Sequence, residues 1–66
     1  MNFNVKMFRE KKGWTQSELS ERSGVGRITI SRMESGVLEE TSAGTLVKLA
    51  RALDCDMGDL VTVFYD

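Results

Sequence analysis

The 66-residue sequence predicts one all-α domain of five short helices, and three observations carry that expectation. Apolar residues recur at helical spacing, most plainly Leu46, Leu49, Ala50 and Leu53 at i, i+3, i+4 and i+7. Thr15 followed by Glu18 forms a capping-box pattern, in which each residue satisfies a backbone N–H that the start of a helix would leave unbonded. Gly24 separates two stretches that each read as helix, and glycine can take the left-handed conformation that ends one.

The first helix is expected from about Asn4 to Lys12, with Val5 and Phe8 on one stripe and Phe3 or Met7 at its edge. Basic residues in its last turn suit the negative helix end, and Gly13 stops it. Lys11 and Lys12 therefore have a structural role open to them as well as a phosphate-binding one. Trp14 is expected to pack on the core rather than stack on exposed bases. Gln16 to Arg22 forms the second helix, Ser23-Gly24-Val25 the turn, and about Arg27 to Ser35 the third helix. Leu19, Val25, Ile30 and Met33 face inward, with Gly26 expected on the same buried side, while Ile28, Ser31, Arg32 and Ser35 face outward and Arg27 lies at the N-terminal edge. Thr41 or Ser42 caps the fourth helix, which runs to about Leu53, and Asp56 caps a fifth from Met57 that buries Leu60 and Val61.

Composition limits the function classes. A charged share of 29% and an apolar share of 41% fit a single folded domain, and the length leaves no room for a second. No apolar run reaches the roughly 18 to 20 residues of a membrane span, and Lys6, Arg9, Lys11 and Lys12 interrupt any signal-peptide core. Cys55 is the single cysteine and there is no histidine, so an internal disulfide, a zinc site and a nucleophile–base pair are all without the residues they need. An enzyme is not expected, no cofactor is expected, and Cys55 reads as a small apolar residue of a reduced, cytoplasmic protein. The net charge is only −1, but residues 1–33 carry seven basic and three acidic side chains, and residues 34–66 carry two and seven. Such a split suits one basic face turned to DNA and an acidic back, although chance in a short chain would give it as readily.

Helix, glycine turn, helix is the composition of the helix-turn-helix motif, whose second helix enters the DNA major groove. The motif, at about residues 15–35 of a domain covering 1–66, resembles that of the Cro and phage-repressor (XRE) family. Gln16 matches the first position of the family pattern, Gly24 the turn, and Leu19, Val25, Ile30 and Met33 the packing positions. The likeness covers nearly the whole chain: Phe8 to Gln16 resembles the first helix and its exit, Met33-Glu34-Ser35-Gly36 the end of the recognition helix, Thr45 to Leu53 the fourth helix, and Met57-Gly58-Asp59-Leu60 the start of the fifth. This resemblance implies a lambda-repressor-like fold and a sequence-specific transcriptional regulator of double-stranded DNA, a repressor acting by occlusion at a palindromic operator as a homodimer. It also implies a departure. Relatives commonly carry basic residues and a proline after the recognition helix, where this chain has Val37-Leu38-Glu39-Glu40, and Glu39 and Glu40 would repel phosphates.

The outward residues of the third helix supply base readout. Ile28 is a large apolar side chain on a polar face and fits a thymine C5-methyl, while Arg27 and Arg32 have the fork geometry for guanine O6 and N7. The resemblance points to the same three positions, and Ser31 lies between them. Gln16 is the expected phosphate grip at a positive helix end, as its counterpart is in the family, with Thr15, Thr29, Gly26 and Lys12 as further phosphate candidates. Arg9 and Glu34 match positions that form a buried ion pair in the family, so Arg9 is assigned to structure before DNA. Glu18 and Glu21 read as capping and solvated charges, though the matching helix of relatives can touch RNA polymerase. The tail at 61–66 is apolar, and Val61, Val63, Phe64 and Tyr65 are candidates for dimerisation across a two-fold axis, with folding back onto the core as the competing reading. The rival function is a protein-binding module, an antitoxin or immunity factor using the acidic half.

Overall fold

The computed structural model describes residues 2–37 and 41–62. A two-residue strand β1 (Asn2–Phe3) leads into α1 (Val5–Lys11), α2 (Gln16–Ser23), α3 (Arg27–Ser35) and α4 (Ala43–Leu53), followed by a 3-10 turn (Met57–Leu60) and strand β2 (Val61–Thr62). Among the described residues no helix is long and apolar enough to cross a membrane.

Each helix end has a local cause. Thr15 Oγ1 accepts from the Glu18 N–H at 3.1 Å and the Glu18 carboxylate accepts from the Thr15 N–H at 3.4 Å, which completes the capping box. Ser42 Oγ accepts from the Thr45 N–H at 3.1 Å and starts α4. Gly24 and Gly36 end α2 and α3 with φ of 78° and 81°, in the left-handed region where a side chain is strained. Val25, just after the first of these turns, is held on both sides: its N–H reaches Ser23 Oγ and its carbonyl accepts from Ser20 Oγ at 2.7 Å.

One apolar cluster lies between the helices. Val5, Leu19, Val25, Ile30, Met33, Leu49, Ala50, Leu53 and Leu60 are buried, and Phe3, Phe8, Trp14, Leu46, Ala52 and Cys55 pack around them. Each fully buried side chain of this size contributes about 1.5–3 kcal/mol relative to exposure, so a chain this short depends on nearly all of them. α2 touches both α3 and α4, and α1 packs across the same pair.

Three expectations are corrected. The fifth helix is a single 3-10 turn. Four residues lie between the Asp56 cap, whose carbonyl accepts from the Asp59 N–H at 3.0 Å, and the β-branched Val61, too few for an α-helical repeat. The residues that follow pair with the other end of the chain, so the domain carries a two-residue antiparallel ladder beside its helices, in the register Asn2↔Thr62 and Phe3↔Val61. Val61 and Thr62 thus fold back beside the chain's own first strand, while Val63, Phe64 and Tyr65 lie outside the described residues. Finally, Gly26 is exposed, not buried: it precedes the first helical residue as the N-cap of α3, so helical periodicity does not apply to it.

The positive φ at Gly24 gives a direct test. An added Cβ there would meet nothing within 4 Å, so Gly24→Ala should cost only the backbone strain, about 1–2 kcal/mol in urea unfolding. A neutral substitution would show that the turn can be rebuilt without left-handed backbone.

Candidate nucleic-acid interface

α3 is amphipathic in a way that leaves a defined face outward. Ile30 and Met33 are buried against the core, and Arg27, Ile28, Ser31, Arg32 and Ser35 are all exposed on the opposite side. Ile28 is 72% exposed, an unusual solvation for so large an apolar side chain at the centre of a polar face. Arg27 and Arg32 form no ion pair among the described residues. Two guanidinium forks with an isoleucine between them therefore stand on a rod whose rear is sealed into the core. That rod begins at Gly26 without a side-chain cap, so its positive end is open to solvent.

The phosphate candidates are placed differently from one another. Lys12, Thr15 and Gly26 are exposed, and Thr29 is half-buried at the flank of α3. Lys12 Nζ lies 6.0 Å from the Trp14 ring and the Arg22 guanidinium 4.5 Å from it, so the ring carries two cations at once. Gln16 is also half-buried, and its side chain has a protein partner: Nε2 donates to Glu34 Oε1 at 3.2 Å. The Arg22–Trp14 stack and the Gln16–Glu34 bond escaped the sequence reading, which has no means of pairing side chains eight and eighteen residues apart. Ser20 escaped it too, although a hydroxyl one turn before Gly24 is a local hint. Leu38, Glu39 and Glu40 lie outside the described residues.

Arg9 and Glu34 are brought together at the rear of this face. Arg9 Nε and Nη2 donate to the two Glu34 oxygens at 2.8 Å each, and Nη1 donates to the Trp14 carbonyl at 2.8 Å. The two side chains are only 13% and 5% exposed. Burial alone would push the Glu34 carboxyl up, but the hydrogen bonds from Arg9 and Gln16 and the Arg9 charge outweigh it and hold the group below its ordinary value. All three guanidinium nitrogens of Arg9 are thus engaged inside the domain.

Cys55 is half-buried and unbridged. Burial pushes its thiol up, and Asp59, Asp56 and Asp54 add to the shift, so the reactive thiolate is disfavoured at neutral pH. No group of His, Cys, Asp and Glu among the described residues could hold a metal ion.

Comparison with known proteins follows the same lines. A family model described as helix-turn-helix matches residues 5–60. Antitoxin HipB of Escherichia coli O6:H1 is 38% identical over 53 residues, which are 80% of this chain and 55% of that protein. The uncharacterised HTH-type transcriptional regulator YozG of Bacillus subtilis is 29% identical over 58 residues, 88% of this chain and 69% of YozG. The N-terminal DNA-binding domain of SinR from Bacillus subtilis superposes with a TM-score of 0.84 at 29% identity, covering 94% of this chain and 90% of that one. The chain therefore spans little more than half the length of HipB and nearly all of the SinR domain.

The buried pair makes a pH prediction. Because the folded domain holds Glu34 below its ordinary value, the unfolded chain binds that proton more tightly. The pair's contribution is then complete above about pH 5 and is lost as pH falls through 4 and below. Unfolding free energy should drop over that window in the wild type and less steeply in Glu34→Gln. Glu34→Ala at neutral pH should cost about 3–5 kcal/mol by stranding Arg9. Parallel pH profiles for wild type and Glu34→Gln would contradict this account.

Proposed function

This chain belongs to the helix-turn-helix family of the Cro and phage-repressor (XRE) type, and from that premise we propose that it is a sequence-specific DNA-binding transcriptional regulator, a repressor that occludes a palindromic operator as a homodimer. The observation that carries the reading is the outward row of α3, Arg27, Ile28, Ser31 and Arg32, exposed together on a helix fixed from behind by Ile30 and Met33. In a major groove, Arg27 and Arg32 donate bidentately to guanine O6 and N7, Ile28 covers a thymine methyl, and Ser31 reaches a base edge between them. Lys12, Thr15, Gln16, Gly26 and Thr29 meet the backbone and set the register, since phosphate contacts position a protein while base contacts specify. The family likeness to SinR's DNA-binding domain and to YozG supports the assignment. A homodimer matches a two-fold protein to a two-fold site, with Val61, Val63, Phe64 and Tyr65 as the proposed contact.

A second reading has its own support. The likeness to Antitoxin HipB and the acidic second half of the chain favour a protein-binding module such as an antitoxin. RNA polymerase is the other protein partner that fits the exposed end of α2, through Glu21. The two readings separate in one measurement, selection of bound duplexes from a random pool by the purified chain. A regulator returns an inverted repeat whose half-sites lie about one helical turn apart, with affinity that falls steeply as salt rises. A pool that never enriches favours the protein-binding module.

On the selected site, Arg32→Ala should lose about 1–3 kcal/mol of binding and relax preference at one base pair. An equal loss on random DNA would make Arg32 a phosphate clamp. Ile28→Ser should weaken binding only where a thymine lies beneath the side chain, and replacing that thymine with uracil should erase the difference between variant and wild type.

A further inference from the structure

The Glu34 carboxylate has a second donor beyond its ion-pair partner. Oε1 accepts from Arg9 Nη2 at 2.8 Å and from Gln16 Nε2 at 3.2 Å, while Oε2 accepts from Arg9 Nε at 2.8 Å. Gln16 is the first residue of α2, and Glu34 lies near the end of α3. An amide facing a carboxylate must present its NH2, because its carbonyl oxygen would meet an oxygen anion. One N–H of that group goes to Glu34. The geminal N–H has no protein acceptor among the described residues, and it sits on a half-buried side chain at a helix N-terminus.

We propose, building on the DNA-binding reading above, that Glu34 is a positioning residue for phosphate recognition: it orients the Gln16 amide so that the second N–H meets one backbone phosphate. Arg9 makes this arrangement workable. A bare carboxylate one amide away from a phosphate would repel it, and the two-point contact with the guanidinium offsets that charge. Glutamine loses rotamer freedom when it binds, and here much of that ordering precedes the DNA. Glu34 then acts against the sign of its own charge. Removing an acid from a DNA-binding protein ordinarily strengthens the electrostatic attraction, whereas removing this one weakens the complex.

The test is a double-mutant cycle on DNA with the full chain. Wild type, Gln16→Ala, Glu34→Gln and the double variant are titrated against the selected duplex and against duplexes carrying one neutral methylphosphonate, moved phosphate by phosphate. One position should penalise the wild type and leave Gln16→Ala unaffected. At that position Glu34→Gln should lose most of the wild-type penalty, and its affinity for the native duplex should fall about two- to tenfold. The double variant should bind no worse than Gln16→Ala. Tighter binding by Glu34→Gln, a full methylphosphonate penalty in it, or multiplicative losses in the double variant would overturn the proposal. Should Glu34→Gln unfold, the wild type alone decides through its Gln16 side-chain amide protons. The proton held by Glu34 should keep its NMR shift on adding DNA while its geminal partner moves, and movement of both or neither overturns the assignment. Absence of any duplex binding would instead overturn the DNA-binding reading and this inference with it.

Discussion

Glu34 is where the parts of this domain meet. Its carboxylate is nearly sealed from solvent, which by itself is unfavourable, and three N–H donors from two other elements compensate it. Arg9 brings the end of α1, Gln16 the start of α2, and Glu34 itself the end of α3, while the remaining Arg9 nitrogen binds the Trp14 carbonyl in the loop between. Such a site tolerates little rearrangement. An apolar pair of equal volume could fill the same space, but a single loss strands a buried charge. The pair together with Gln16 therefore fixes how α1 and α2 meet α3 more firmly than apolar packing alone, which is indifferent to small rotations.

That geometry matters because the exposed side of α3 has to be presented rigidly. Ile30 and Met33 anchor the helix from behind, and Gly36 ends it in a left-handed turn whose N–H returns to the Arg32 carbonyl. The turn before it is held by Ser20 and Ser23 as well as by Gly24. What remains on the outside is Arg27, Ile28, Ser31 and Arg32, side chains that find no partner among the described residues but suit base edges.

The chain ends contribute a separate clasp. The Asn4 N–H donates to the Leu60 carbonyl at 2.8 Å and its side-chain amide to the Asp59 carbonyl at 3.2 Å, directly beside the short β1–β2 ladder. Phe3 sits between this clasp and the C-terminal end of α3, lining one small groove with Met33 and Gly36. A two-stranded ladder this short would be marginal alone, and here Leu60, fully buried beneath it, supplies the packing.

Local physics was readable from the residues in order. The Thr15–Glu18 box, the Ser42 cap, the glycine stops and the apolar stripe through Leu46, Leu49 and Leu53 each involve neighbours within one or two helical turns, and propensity and periodicity act over that range. Four helices and the outward face of α3 follow from them, and the family pattern extended the reading to the Arg9–Glu34 pair. Contacts between distant residues were decided only when the helices packed: the third donor to Glu34, the Arg22 guanidinium over Trp14, and the pairing of Asn2–Phe3 with Val61–Thr62. The last replaced a full fifth helix with one 3-10 turn, because strand pairing satisfies backbone groups only where the fold brings two segments side by side, and no spacing along the chain records that meeting.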